Sequence, residues 1–218
     1  MGGGDAAEII RDIIWMKLKR ISIFPLPGAI LFPGMQLPLH IFEPRYRALV
    51  SDALARDRNI GMIQPKAGSD QLFQVGCLGR IDQVEALEDG RYNLVLEGLQ
   101  RFETVSELRV TTQFRQVEAR LWQEDELSEI LPLADRASLE MESRKFANAQ
   151  GYMVDWNSVS QLDDYSLVNA IAQIAPFDSA AKQALLEARG LNVRADLIVQ
   201  MMQFFGRRDS DDSSVTLQ

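Results

Sequence analysis

Histidine and cysteine are almost absent from this chain, which holds one of each in 218 residues. A single cysteine excludes an intrachain disulfide, and His40 and Cys77 alone cannot assemble a Cys/His zinc site. We expect His40 to be a strand residue whose imidazole is satisfied by hydrogen bonds, and Cys77 to be a small buried hydrophobe. The sequence therefore predicts no metal and no cofactor, and its cysteine usage favours a reducing cytoplasm.

The sequence motifs of common enzymes are also missing. The chain contains no Gly-x-x-x-x-Gly-Lys-Ser/Thr, Gly-x-Gly-x-x-Gly, His-Glu-x-x-His or Gly-x-Ser-x-Gly motif. Two pairs of adjacent carboxylates remain, Asp163-Asp164 and Asp211-Asp212. Adjacent side chains point in different directions, so we interpret the first pair as polarity at a helix start and the second as tail charge. We expect no catalytic residue and no enzymatic activity.

Long apolar runs are absent too. The longest near the start, Ile9–Leu18, contains charged residues and is shorter than the roughly 20 residues that span a bilayer. No secretory signal pattern is present. The isoleucines of this run recur at helical spacing, which predicts a short amphipathic helix before Lys17. An equally physical alternative is that Met16 is the natural start.

Positive charge is in deficit, because the formal net charge is -8. Such a chain repels phosphate polyanions unless its basic residues gather in one patch. The nearest candidates are interrupted by apolar or acidic residues and are interpreted as solvated faces: Lys17–Arg20, Arg45, Arg47, Arg56 and Arg58. Nucleic-acid binding is kept only as the alternative function.

Residues 21–122 show the pattern of a β domain, in which short apolar runs alternate with Pro, Gly and Asp. Proline cannot donate a hydrogen bond to a sheet, so Pro25, Pro33 and Pro38 are expected at edges, bulges or loops. Only Pro44–Arg56 has helical spacing, and a proline is tolerated in its first turn.

The strands of this region are predicted from apolar runs and turn signals. They are Ile60–Gln64, Gly76–Ile81, Val84–Leu87, Tyr92–Leu96 and Phe102–Val105, with a further strand pair between Arg109 and Leu121. The clearest turn signal is Asp89-Gly90, which predicts a two-residue hairpin with Glu88 facing Arg91.

Beyond Trp122 the periodicity becomes helical, which places a boundary near Gln123. Four helices are predicted: Leu131–Asn148, Asp163–Ile174, a third from an Asp178 or Ser179 cap to Arg189, and Asn192–Phe205. Glu140 and Arg144 are expected to face each other at i, i+4 on the first. The predicted organisation is an extension (1–20), a β domain (21–122), a helical bundle (123–206) and a flexible tail (207–218).

A proline-rich apolar segment between residues 24 and 42 is too irregular to lie wholly inside a sheet. Three of its residues are expected to pack in the core: Phe24, Leu26 and Phe42. Three others either pack as corners of the core or, because loops carry function more often than strands do, form the candidate polypeptide-binding surface. These are Phe32, Pro33 and Met35.

Three segments of the β region occur in a specific order: 23–46 (IFPLPGAILFPGMQLPLHIFEPRY), 76–81 (GCLGRI) and 94–102 (LVLEGLQRF). Together they resemble the signatures of the amino-terminal, substrate-recognition domain of Lon protease. Segments 181–187 and 194–197 are more weakly similar to the end of the same domain. The resemblance covers residues 21–205 and is more specific than any one segment alone.

The resemblance implies an α+β fold, with a PUA-like pseudo-barrel β subdomain followed by a C-terminal helical bundle. It marks the following signature residues, which we expect to be structural: Phe24, Pro25, Leu26, Pro38, Phe42, Glu43, Arg45, Tyr46, Glu97, Gly98 and Arg101.

The same resemblance implies a function. A stand-alone member of the family lacks the ATPase and Ser–Lys protease domains. Of the family's roles, the resemblance therefore implies only contact with unfolded or partner proteins. We therefore expect a non-catalytic protein-binding module, with a role as an adaptor in protein quality control. Its apolar rim and the crevice between the two lobes are the expected places of contact. The oligomeric state does not follow from the sequence.

Overall fold

A computed structural model describes residues 18–123 and 129–212, with side chains through residue 205. The helix expected before Lys17, the alternative start at Met16 and residues 213–218 lie outside the described residues. The chain divides after Gln123 into two compact units. Each unit is built around its own elements.

The first unit contains six strands and one helix in the described residues. The strands are β1 (Lys19–Pro25), β2 (Gln36–Ile41), β3 (Asn59–Ile63), β4 (Val75–Ala86), β5 (Tyr92–Glu107) and β6 (Gln116–Leu121). Helix α1 (Pro44–Leu54) has its proline at the first turn, where a missing N–H leaves no hydrogen bond unmade.

The sheet of this unit closes on itself. Its strand order is β2-β5-β4-β3-β1-β6, and an additional pairing of β5 with β6 completes a ring of five strands. Strands β1 and β3 are parallel, and the other paired strands run antiparallel. Strand β2 lies outside the ring and pairs with β5. The predicted α+β class with a pseudo-barrel is confirmed.

Prolines occupy the positions that their missing N–H requires. Pro38 lies in the edge strand β2, Pro25 is the last residue of β1, and Pro33 lies in a loop. The prediction for these three residues is confirmed. At Pro38 the edge of the sheet has one backbone donor fewer, which disfavours pairing with a foreign strand.

Two clusters of buried side chains fill the first unit. The larger packs α1 against the sheet, through Leu49 and Val50 among others, and includes Cys77 with no exposed surface. The smaller surrounds Phe102 on β5 and takes Val117 and Ala119 from β6. The predicted burial of Cys77 is confirmed.

Strands β4 and β5 are longer than predicted. The run Gly76–Ile81 and all but the last residue of the run Val84–Leu87 belong to one strand. Its register shifts once near Leu78 and again between Ile81 and Gln83. A bulge bends a strand without ending it, so polar residues between two apolar runs need not indicate a turn. The two runs predicted within 92–105 likewise form one strand.

The turn between β4 and β5 is a hairpin, as predicted, but its loop is one residue longer. Gly90 donates to Leu87 O and Leu87 to Arg91 O, both at 2.9 Å, so three residues form the loop. Gly90 has a φ of 79°, as expected where a type I turn ends in a glycine bulge. Arg91 pairs with Asp89 at 2.6 Å, so the predicted pairing with Glu88 is wrong.

Only one strand, β6, lies in the region where a strand pair was predicted between Arg109 and Leu121. The preceding residues form a loop, held by the Thr112 hydroxyl donating to Phe114 O at 2.8 Å. Phe114 leaves this loop to enter the larger core cluster, where it is 5% exposed. Its apolar character therefore marks a core anchor and not a strand.

The described part of the second unit consists of five helices. They are α2 (Leu133–Ala149), α3 (Trp156–Ser160), α4 (Asp164–Ile174), α5 (Ser179–Glu187) and α6 (Leu191–Asp212). Helices α4 and α5 begin as predicted, because Asp163 and Asp178 accept hydrogen bonds from N–H groups of their first turns, both at 2.8 Å. The short helix α3 was not predicted.

Helix α6 does not end near Phe205. It continues through Asp212, whereas the sequence predicted a flexible tail from residue 207. Earlier in α6, Arg194 is 1% exposed and donates to Leu185 O, Ala188 O and Asn169 Oδ1 at 3.0 to 3.1 Å. This guanidinium satisfies the carbonyls at the end of α5 and fixes α6 against α4 and α5.

Candidate functional site

The residues predicted to form a polypeptide-binding surface are mostly buried. Phe32 is 0% exposed, Pro33 is buried as well, and Met35 is partly buried. The expectation that Phe32 and Pro33 present a surface to another chain is therefore wrong. This segment is part of the protein's own packing.

A glycine on β5 explains why the segment is buried. Gly98 donates to Met35 O at 2.8 Å and accepts from the Gly34 N–H at 2.9 Å. A side chain at Gly98 would place its Cβ 2.1 Å from Phe32 O. Only a residue without a side chain lets the Phe32–Met35 turn lie this close to the sheet.

Phe42 behaves in the opposite way. It was expected in the core, but 60% of it is exposed, so that expectation is wrong. Strand β2 ends at Ile41, which is 2% exposed, and successive side chains along a strand point to opposite faces. Of the other residues expected in the core, Phe24 is buried and Leu26 is partly buried.

Polar side chains hold the surroundings of Phe42 in place. Its ring stacks on His40 at 6.2 Å between centroids. His40 Nδ1 lies 2.7 Å from Asn93 Oδ1, and Arg91 donates to His40 Nε2 at 3.2 Å. One neutral tautomer, with the proton on Nδ1, satisfies both contacts, and the expected satisfied imidazole is confirmed. We call these four residues the Phe42 face.

The signature residues that follow Phe42 surround one buried tyrosine. The Tyr46 hydroxyl donates to Pro25 O at 3.1 Å, and its ring lies 4.1 Å from that of Phe24. Arg45 lies over the same ring at 4.5 Å and pairs with Glu43 at 2.9 Å. Burial raises the pKa of Tyr46 above its ordinary value, so the hydroxyl remains a donor at neutral pH.

Two further charged signature residues lie on β5. Glu97 pairs with Arg80 of β4 at 2.6 Å, across the sheet surface. Arg101 is 2% exposed, with its guanidinium 4.5 Å from the centre of the Trp122 ring. The first contact joins β5 to β4, and the second joins β5 to the residue that follows β6.

The second unit carries an apolar loop that sequence reasoning missed. Tyr152, Met153 and Val154 follow α2 and are 50%, 101% and 37% exposed. We call them the 152–154 loop. Gly151, with a φ of 73°, ends the helix. The Tyr152 N–H donates to Ala147 O at 2.9 Å, a helix-ending motif that glycine enables.

The other end of the 152–154 loop is also fixed. The Asp155 carboxylate accepts from the N–H groups of Asn157 and Ser158 and thereby caps α3. The adjacent Trp156 ring lies 4.5 Å below the Arg144 guanidinium. Arg144 thus does not follow the predicted pairing with Glu140, which bonds Arg136 at 3.0 Å. Three exposed apolar side chains are held between two anchored helix ends.

The carboxylates considered for acid chemistry have structural partners. Asp163 caps α4, and hydrogen bonds from Ser166 lower the pKa of its carboxyl. Asp164 accepts from Arg136 and from the Leu131 N–H. Across residues 18–123 and 129–205, no three His, Cys, Asp or Glu side chains gather into a group able to hold a metal ion.

Within the described ranges, no helix combines the length and the apolar character that crossing a bilayer needs.

Comparison with known proteins identifies one family. Residues 20–203 match the family model described as the ATP-dependent protease La (LON) substrate-binding domain. Lon protease 2 of Herpetosiphon aurantiacus is 26% identical over 192 residues, which are 84% of this chain and 23% of that protein. Lon protease of Escherichia coli K12 is 27% identical over 199 residues, 84% of this chain and 24% of that protein. The chain thus spans about a quarter of these relatives.

Solved structures share the fold. A Lon N-terminal domain protein from Xanthomonas campestris superposes with a TM-score of 0.67 at 19% identity, covering 84% of this chain and 98% of the other. The N-terminal domain of Mycobacterium avium complex Lon protease gives 0.68 at 19% identity, covering 85% and 98%. At such identity the likeness concerns the architecture.

Proposed function

We propose, because the chain belongs to the LON substrate-binding domain family, that it binds other polypeptides and does so without catalysing a reaction. The observation that carries this proposal is the 152–154 loop. Single exposed apolar residues are ordinary on protein surfaces, whereas consecutive ones held in a fixed frame mark an interaction site. Met153 is fully exposed, and anchored residues flank it on both sides.

The chemistry of the loop suits varied partners. Methionine is unbranched and polarisable, so it adapts to side chains of different shape. Tyrosine adds a large apolar ring with a polar tip that tolerates both water and protein. A flexible partner loses conformational entropy when it is held, so we expect weak binding to any single unfolded segment.

The Phe42 face is a second candidate contact, located on the first unit. Aromatic side chains contribute strongly to protein interfaces when a rigid setting supports them. Phe42 meets this condition, because His40 stacks on its ring and two hydrogen bonds fix the imidazole. We propose that it contributes apolar contact to the same kind of ligand.

We further propose that the protein acts as an adaptor in protein quality control. Support comes from the family description, which names substrate binding, and from the match to that domain of the relatives. The proposal that it is not an enzyme rests on the same match, together with the structural roles of Asp163 and Asp164.

Fluorescence anisotropy with a labelled, permanently unfolded polypeptide tests the proposal. We expect the double variant Tyr152→Ser, Met153→Ser to weaken binding about fivefold or more, which corresponds to roughly 1 kcal/mol of lost apolar contact. Ile174→Ser is the matched control, since Ile174 is 79% exposed but stands at the end of α4. Unchanged binding by the double variant, or equal loss in both, contradicts a role for the loop.

The Phe42 face is tested in the same assay with Phe42→Ala. Its control is Val105→Ala, because Val105 is 49% exposed on β5 of the same unit. We expect only the Phe42 variant to lose affinity. If neither Phe42→Ala nor the loop double variant changes the anisotropy, these two surfaces do not bind polypeptide.

A further inference from the structure

Three polar side chains lie side by side at the Phe42 face, one on each of three neighbouring strands. Asn93 of β5 is the register partner of His40 on β2 and of Glu85 on β4. Phe42 follows His40 by two residues, and its ring stacks on the imidazole. All four side chains are exposed, so another molecule can cover them together.

Hydrogen bonds fix which ring atom of His40 carries a proton. The Asn93 amide nitrogen donates to Glu85 at 2.9 Å, so the Asn93 oxygen faces His40 Nδ1, at 2.7 Å. That oxygen only accepts, which requires a proton on Nδ1. Arg91 donates to His40 Nε2 at 3.2 Å and has no acceptor to offer, so Nε2 is bare. Both contacts exist together only while the ring is neutral.

Protonation of His40 is incompatible with the Arg91 contact. A proton on Nε2 would point at the guanidinium, so that a donor faces a donor and two positive charges face each other. Arg91 stays attached to the hairpin without this contact, because its Nε donates to Asp89 at 2.6 Å. The Nε2–H group of the imidazolium is then left to water.

The carboxylates of the hairpin do not compensate the charge of an imidazolium directly. Glu85 is linked to the ring only through the Asn93 amide. Asp89 accepts from the backbone and the side chain of Arg91, at 3.1 and 2.6 Å. Across residues 18–123, no carboxylate contacts the His40 ring.

The start of α1 supplies no negative charge to the imidazole either. Glu43 pairs with Arg45 at 2.9 Å. Arg47 extends to the hairpin loop, where a Cβ on Gly90 would lie 2.2 Å from its Nη2 atom. The charge that this helix adds beside the hairpin is therefore positive.

A ligand that excludes water affects the two states of His40 differently. In the neutral state both ring nitrogens already have protein partners, so covering them removes no hydrogen bond. In the protonated state the ligand would remove water from a charged donor that has no other partner, which is unfavourable. An apolar ligand therefore prefers the neutral form.

We propose that His40 makes the Phe42 face a pH-sensitive contact, which holds an apolar polypeptide when the imidazole is neutral and releases it when the imidazole is protonated. Histidine is the side chain that ordinarily changes charge between pH 5 and 8, and this chain contains one. The inference rests on the proposed function and adds regulation to it, because binding weakens as the pH falls.

Anisotropy at about pH 7.5 and about pH 5.5 tests this effect. The probe is an unfolded apolar polypeptide with blocked termini and without histidine, aspartate or glutamate, so its own charge stays constant in this range. We expect the native protein to bind about threefold or more weakly at the lower pH, because fewer molecules hold the neutral ring. His40→Asn is expected to bind equally at both, since its amide does not titrate and can still donate to Asn93.

The contribution of the 152–154 loop is separated with the double variant Tyr152→Ser, Met153→Ser. The loop contains no histidine, so this variant is expected to show the same pH-dependent loss as the native protein. A pH-dependent loss that disappears in the loop variant would place the effect outside the Phe42 face and overturn the inference.

NMR of the single imidazole provides an independent reading. At neutral pH the ring ¹⁵N shifts are expected to show the tautomer with the proton on Nδ1, and the other tautomer would remove the premise. Binding and protonation that exclude each other are linked reciprocally. Saturating polypeptide must therefore move the titration midpoint of His40 to lower pH, and an unchanged midpoint overturns the inference.

The outcomes separate this inference from the proposed function. Equal affinity of the native protein at both pH values, or an equal loss in His40→Asn, overturns the pH-sensitive contact while polypeptide binding itself persists. Absence of binding at both pH values contradicts the proposed function and the regulation with it. Thermal midpoints at both pH values verify that the native protein and His40→Asn are folded.

Discussion

Phe32 and Phe42 occupy opposite environments within one short stretch of chain. Phe32 is 0% exposed and Phe42 is 60% exposed. We expect Phe32→Ala to lower the free energy of unfolding by about 3 to 5 kcal/mol, because a buried ring leaves a cavity. Phe42→Ala is expected to change it by about 0.5 kcal/mol or less. Urea denaturation of both variants measures the difference, and comparable losses would contradict the assigned burial.

Gly98 should tolerate no side chain. The Cβ of an alanine would lie 2.1 Å from Phe32 O, so the Phe32–Met35 turn must move away from β5. We expect Gly98→Ala to lower the free energy of unfolding by about 3 kcal/mol. Gly68→Ala is the control: its Cβ meets nothing within 4 Å, and only its φ of 70° costs about 1 kcal/mol. A larger loss at Gly68 would refute this explanation.

The sequence pattern could not show which of the two phenylalanines is buried. Phe32 directly precedes Pro33 and Phe42 lies two residues before Pro44, and both fit either a core or a surface. Phe32 is buried because its turn bonds to Gly98, a residue distant in sequence. Phe42 is exposed because β2 ends one residue earlier. By contrast, the edge position of Pro38 was predictable, because it follows from the missing N–H of proline itself.

At the scale of elements, the cap of α4 links stability to pH. Backbone hydrogen bonding from Ser166 lowers the pKa of Asp163 below the roughly 3.9 of an unfolded chain. The carboxylate therefore stabilises the fold fully above that value, and its contribution is lost as pH falls through the lower folded pKa. Asp163→Asn keeps a capping oxygen but cannot titrate.

We accordingly expect the unfolding free energy of Asp163→Asn to depend less on pH than that of the native protein. From pH 6 to about pH 2.5 the unfolding free energy of the native protein should fall more steeply than that of the variant. Urea midpoints at several pH values measure the two slopes. Since Asp57 and Glu107, whose pKa values are also lowered, titrate in both proteins, their effects cancel. Parallel slopes would show that the charge of the Asp163 carboxylate contributes nothing to the pH dependence.

Helix starts were predictable because their chemistry is local. Asp163 and Asp178 cap the helices that they precede, and Pro44 opens α1, as the sequence indicated. Strand lengths were not predictable, because β4 continues through two register shifts that only its partner strands determine. The 152–154 loop was missed for a related reason. Its apolar residues look like core until the ends of α2 and α3 are placed.

At the scale of the whole molecule, the β unit has a core of its own. The two core clusters of the β unit draw only on residues between Ile21 and Leu121. We expect a fragment comprising residues 18–123 to fold alone and to unfold cooperatively in urea, with the far-ultraviolet spectrum of a β protein. A gradual, non-cooperative loss of signal would show that the cores need further residues.

Family membership was predictable at this scale, because three ordered segments together are more specific than composition or charge. The location of the binding surface was not. Exposure depends on how the elements pack. A family resemblance implies a role, but it does not identify the side chains that perform it. The 152–154 loop illustrates this, since the ends of α2 and α3 hold it in place.

Strand β5 has one consequence for how the sheet assembles. Its sixteen residues pair with β2 near the start, with β4 along most of the length and with β6 towards the end. A slip of one position would therefore misalign three ladders simultaneously and turn Leu94, Leu96 and Phe102 towards water. A wrong register would lose the pairing of β5 with three strands at once. A shifted sheet that could pair with a neighbouring molecule is therefore disfavoured.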